Sequence, residues 1–101
     1  MNADALISTA MEDRAAALVE LMREVTGIDP VQTTRRRPVH VARMIVAERL
    51  LAEGWTEEQA ARIFGINRTT INYYRHKVAT MLHAPGYGLE REIYQQFNKA
   101  L

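Results

Sequence analysis

At 101 residues, 48% of them hydrophobic, the chain has the size and apolar content of one small domain built around a single modest core. It contains no cysteine, which excludes disulfides and thiolate metal sites as supports and fits a reducing, cytoplasmic setting. The formal net charge is only +1, too little to imply a polyanionic partner by itself.

The charge is unevenly spread. Residues 1–30 carry six acidic side chains (Asp4, Glu12, Asp13, Glu20, Glu24, Asp29) against two basic ones, a balance of −4. Residues 31–83 carry nine basic against four acidic, a balance of +5, and the remainder is neutral. Basic potential therefore gathers in the middle of the chain, where a phosphate backbone can use it. No apolar run approaches the roughly 20 residues that span a bilayer. The start, "MNADALISTAMEDR", lacks the basic opening and long apolar stretch of a secretory signal, so no membrane contact is expected.

In chain order, "TAME" at residues 9–12 has the spacing of a capping box and predicts a helix to about Thr26, stopped by Gly27 in a left-handed conformation. Ala15, Leu18, Val19, Met22 and Val25 form its apolar stripe. "DPVQTT" reads as one short turn, followed by Arg35, Arg36 and Arg37 in an exposed loop, because Pro38 disfavours helical geometry in the residue before it. Pro38 then opens a helix running to about Glu53, with Val41, Met44, Ile45, Ala47, Leu51 and Ala52 as its expected buried face and Gly54 as its stop. "TEEQ" at residues 56–59 is a second capping box, with Trp55 ahead of it as a hydrophobic staple. This short helix stops at Gly65, and Asn67 caps the next, which carries Ile71, Tyr74 and Val78 on one side and reaches about Leu82. "APGYG" breaks it, and a last helix covers residues 89–99. No segment alternates like a strand, so the expected fold is all-α, a single domain of about five helices spanning residues 1–101.

Gly65 carries the functional question. A helix-turn-helix needs a tight turn and small or apolar side chains where its helices touch. Ala61, Ile63, Phe64, Ile66, Ile71 and Tyr74 supply the contacts, and residues 56–82 are expected to form such a unit. With Ile71 and Tyr74 inward, helical geometry turns Arg68, Thr69, Asn72, Tyr73 and His76 outward and leaves Asn67 and Thr70 at the tip. Arginine can match guanine, asparagine adenine, and threonine a thymine methyl in the major groove. Arg35, Arg36 and Arg37 suit the minor groove, where negative potential is focused. The bland alternatives are that Asn67 and Thr70 only cap, Tyr73 only packs, and the arginines form an ordinary solvated loop.

The succession "RRR", "VARMIVAERLLAEGWTEEQAARIFG" and "RTTINYYRHKV" resembles the C-terminal DNA-binding domain of bacterial DnaA, the replication initiator, whose fold is similar to that of Trp repressor. The resemblance runs from about Leu18 to Val78 and is most specific at "NRTTI". It implies major-groove and tip contacts by Asn67, Arg68, Thr69 and Thr70, and an arginine among residues 35–37 in the minor groove. It also implies phosphate contacts by Arg43, Arg75 and Lys77. Asn67 and Arg68 stand where that family typically has Asp and His, which changes the bases expected to be read. The turn "FGIN" is one residue shorter than the family's "FGGRD". No GxxxxGK[ST] occurs, so ATP-driven origin melting needs an ATPase partner in trans. The chain is then a free-standing member, a phage or plasmid protein, or an excised domain.

The leading expectation is sequence-specific binding of duplex DNA in the nucleoid, without cofactor or small-molecule substrate, serving replication control or, alternatively, transcriptional regulation. A second reading makes the acidic first helix a dock for a replication protein. A third, an enzyme, finds no paired nucleophile and base; His76 and His83 lie seven apart without a carboxylate at metal spacing, and His40 is expected on an exposed first turn. For a dimer, Tyr87, Leu89, Ile93, Tyr94 and Phe97 are the candidate patch, with covering the core as their ordinary role.

Overall fold

The computed structural model describes residues 6–101, so Asp4 lies outside the described residues. Local chemistry decides where each helix begins and ends. The first, α1, spans Thr9–Thr26. Its cap is Ser8 and not Thr9: Ser8 has the extended backbone of a cap, and its Oγ accepts a hydrogen bond from the Met11 N–H at 3.2 Å. Two adjacent hydroxyls compete for this role, and once Ser8 holds it Thr9 is already helical, so the box over residues 9–12 does not form. At the other end Gly27 adopts φ 73° and donates its N–H to the Arg23 carbonyl, as expected.

The second helix, α2, spans Arg37–Ala52 and so begins one residue earlier than the proline rule predicts. A tertiary tie overrides the local preference: Arg37 donates from Nε at 2.9 Å and from Nη2 to the buried carboxylate of Glu90, 53 residues further on. At its C-terminus the Trp55 N–H reaches the Leu50 carbonyl and the Gly54 N–H that of Leu51, a Schellman pair that turns Trp55 into the core.

Three further helices follow: α3 over Glu57–Phe64, α4 over Arg68–His83 and α5 over Gly88–Lys99. Both arms of the Thr56–Gln59 capping box are made, and Asn67 caps α4 through the Thr70 N–H at 2.9 Å. There is no strand among the described residues, and the all-α expectation of five helices holds.

Helix α2 is the axis of the molecule and touches each of the other four; α4 lies against α2 and α3, and α5 closes the back against α1, α2 and α4. Being surrounded, α2 buries side chains nearly all round: Val39, Val41, Ala42, Met44, Ile45, Val46, Ala47 and Leu50. The expected face was therefore misplaced at its end, since Leu50 is fully buried while Leu51 is half-buried and Ala52 exposed. Amphipathic periodicity locates one face and cannot do so for a helix with several neighbours. On α1 the stripe Ala15, Leu18, Val19 and Met22 is buried and Val25 half-buried. Ile93 and Phe97 of the proposed C-terminal patch are core residues, Tyr87 and Tyr94 are partly buried against the core, and Leu89 is exposed. The radius of gyration, 12.9 Å, matches the about 13 Å of a single 100-residue domain. No helix among the described residues is long and apolar enough to cross a membrane.

Candidate nucleic-acid interface

The turn between α3 and α4 is made by Gly65 at φ 65°, with its N–H on the Arg62 carbonyl and the Ile66 N–H on that of Ala61. A Cβ at this position would meet nothing within 4 Å, so glycine is required by backbone conformation and not by space. Ala61, Ile71 and Tyr74 are buried at the junction, with Ile63, Phe64 and Ile66 packed against the same core. These are the residues expected to fill the angle.

On the other side of α4, Arg68, Thr69, Tyr73, Arg75 and His76 are exposed. Tyr73 is an exposed large aromatic side chain of the helix, 52% accessible, tilted against the ring of Tyr74 at 6.3 Å. Asn67 spends its Oδ1 on the N–H and Oγ1 of Thr70, so the cap and Thr70 are coupled at the tip. Asn72 is half-buried and donates its Nδ2 to Glu57 Oε2 at 2.9 Å. Arg68 and Arg75 each lie 3.6 Å from the same Glu57 carboxylate, and Arg68 lies 3.8 Å from Glu58. With the two arginine side chains 66% and 52% exposed, such pairs contribute little to stability and leave both cations within reach of a ligand.

The basic loop lies beside this helix start. Val31, Thr33, Thr34, Arg35 and Arg43 face Phe64, Gly65 and Ile66 across a groove of about 470 Å³. Arg35 and Arg36 are exposed and have no side-chain partner among the described residues. Arg37 differs from them, since it opens α2 and is committed to Glu90. Burial pushes the Glu90 carboxyl up, but the hydrogen bonds from Arg37 and from its own backbone N–H outweigh it and hold Glu90 below the usual carboxylate range.

Of the residues assigned to phosphate, Arg75 is exposed, whereas Arg43 and Lys77 are engaged within the fold. Arg43 donates to the carbonyls of Pro30 at 3.0 Å and Gln32 at 2.8 Å and so shapes the basic loop. Lys77 donates to the Tyr87 hydroxyl at 2.8 Å and lies 4.8 Å above its ring centroid; that hydrogen bond raises its pKa. His40 is half-buried and packs edge-on against Tyr74 at 5.3 Å, not on an exposed turn; burial, and then the charge of Arg43, lower its pKa. No group of His, Cys, Asp and Glu among the described residues is arranged to hold a metal ion.

Glu57 and Glu58 enter the site unannounced by the sequence, where they serve as favourable charges in the first turn of a helix. Their complement, arginines seven residues apart at 68 and 75, is visible in the sequence, but its meaning depends on how α3 and α4 cross. Comparison with family models, with curated proteins and with solved structures returns no match. Function must therefore be argued from the site itself.

Proposed function

We propose that this chain is a binding module, not an enzyme, which recognises duplex DNA by sequence through a helix-turn-helix formed by α3, the turn at Gly65 and α4. The N-terminal half of α4 enters the major groove, with Arg68 and Thr69 at its tip and Asn72, Tyr73 and His76 along its face. Arg35 and Arg36 reach the adjacent minor groove, and Arg75 meets phosphate.

The observation that carries this reading is the groove that sets the loop of residues 31–35 directly beside the turn at residues 64–66. Arg35, without a side-chain partner among the described residues, thereby stands beside the turn that leads into a helix whose exposed side opposes the buried Ile71, Tyr74, Val78 and Met81, and Arg36 follows it in the chain. A major-groove reader flanked by flexible cations suits one face of a duplex. The likeness to the DnaA C-terminal domain adds support for a role in origin recognition or its control at the nucleoid, with an ATPase in trans. A small transcriptional regulator would use the same surface. The adaptor reading is weaker, because the apolar stripe of α1 is spent on the core and its outward residues are charged, alanine or, at its start, Thr9.

The test is fluorescence anisotropy on a duplex selected from a random pool and on a scrambled duplex, at two salt concentrations. The selected site should bind tighter by ~10³ or more. Arg68→Ala should relax discrimination at one base step by about 1–3 kcal/mol, whereas Arg35→Ala and Arg36→Ala should weaken all sequences and each reduce the salt slope by about 1. Equal, weak binding to both duplexes would remove the reading.

A further inference from the structure

We propose that Glu57 is a positioning residue that decides which bases Asn72 reads, an inference that rests on the DNA-binding reading above. Glu57 opens α3, yet its carboxylate is directed at α4 and its side chain is only 19% exposed. Oε2 accepts the hydrogen bond from Asn72 and lies 3.6 Å from Arg75 Nη2, and Oε1 lies 3.6 Å from Arg68 Nε. Residues 68, 72 and 75 are spaced by four and three, which makes them one stripe along α4. A single carboxylate serves the whole stripe.

The consequence for Asn72 follows from donor and acceptor chemistry. A carboxylate accepts and does not donate, so the amide must present its NH₂ group to Glu57. The planar amide then directs Oδ1 away. That oxygen has no partner among the described residues and is not among the buried unpaired atoms, so it is not fully enclosed.

An unrestrained asparagine grips adenine with its carbonyl and its NH₂ together. Held by Glu57 through one of its two N–H groups, Asn72 cannot turn its amide over, and the group left facing outward is its carbonyl. It matches the exocyclic amines of cytosine (N4) and adenine (N6) and opposes the oxygens of guanine and thymine. The position under Asn72 is thus read as amino base against keto base. Glu57 and Glu58 also offset the charge of Arg68 and Arg75, which holds down attraction to phosphates of any sequence.

The test compares sites selected from a random duplex pool by the wild type, Glu57→Gln and Asn72→Ala, with circular dichroism and melting confirming that each variant folds. A glutamine side chain can both donate and accept, so Asn72 is no longer held one way round. In the wild type one step should admit only A or C. In Glu57→Gln that preference should fall about tenfold, while affinity for scrambled duplex rises because a negative charge is gone. Asn72→Ala should relax the same step, and adding Glu57→Gln to it should change that step no further. In the free protein, the NMR signals of the Asn72 side-chain amide should move in Glu57→Gln.

If Glu57→Gln keeps the amino-base preference, or weakens selected and scrambled duplexes by the same factor, Glu57 only supports the start of α3 and the proposal is overturned. If the wild type itself yields no selected site, the DNA-binding reading fails first, a result recognisable before any variant is made.

Discussion

Arg14 reaches from α1 to the C-terminal end of α2, where Glu53 accepts two hydrogen bonds from it at 2.8 and 2.6 Å and a third from Arg49 at 2.8 Å. The hydrogen bond from Arg14 leads in holding the Glu53 carboxyl down to about 2; partial burial opposes it, and Arg49 adds to the lowering. Because the folded pKa is depressed below the ordinary 4.5, the stabilisation is complete above that value and is lost as pH falls from 4.5 toward 2. His40 acts in the same direction from a higher pH: its lowered folded pKa makes protonation below 6.5 favour the unfolded chain. Arg14 is 45% exposed, so solvent screens the pair, and Glu53→Gln should cost only about 1 kcal/mol at pH 7. Urea midpoints of the two proteins, measured at pH 7 and near pH 2, should differ at the first and converge at the second.

At the scale of the elements, the turn at Gly65 couples stability to the candidate site. Nothing crowds a Cβ there, so Gly65→Ala should lose about 1 kcal/mol, the conformational cost of the left-handed region alone. Gly65→Asn should lose less, because asparagine tolerates that region better. Denaturant midpoints of the three proteins give the order. The features legible in the sequence were of this kind: Gly27, Gly65, Thr56 and Asn67 act on backbone groups within a few residues, so local spacing is enough to find them. Ser8 escaped because its neighbour Thr9 offers the same hydroxyl. Within the candidate site, the outward positions of Arg68, Thr69, Tyr73 and His76 followed from helical periodicity, whereas Asn72, expected outward with them, is half-buried against Glu57. The roles of Arg37, Arg43, Lys77 and Glu57 did not, since their partners lie on other elements. Arg37 and Glu90 are separated by 53 residues, and no period in the chain brings them together.

For the whole molecule, the arrangement around α2 makes stability depend on the last helix. Phe97 and Ile93 are almost wholly buried, and α5 packs on α1, α2 and α4 at once. Phe97→Ala should therefore cost about 3–5 kcal/mol, although it lies on the opposite end of the chain from the basic loop. Calorimetry should find the loss as one lowered transition rather than separate melting of α5.

The basic loop is the feature whose shape matters most beyond its charge. Arg43 ties down the carbonyls of Pro30 and Gln32, Thr34 Oγ1 accepts from the Arg36 N–H at 3.3 Å, and Arg37 is bound to Glu90. Between these fastenings the backbone is already held, so keeping Arg35 and Arg36 in place on a ligand avoids much of the roughly 1–2 kcal/mol per residue that ordering a free arm requires. A fastened arm also acts as a ruler. On the proposed reading, the distance from the arginines to the tip of α4 is set by the protein and not by the ligand. One base pair inserted between the steps they contact shifts them by about 3.4 Å and turns one around the duplex axis relative to the other. A long disordered arm would absorb that change; this short bracket would be thrown out of register.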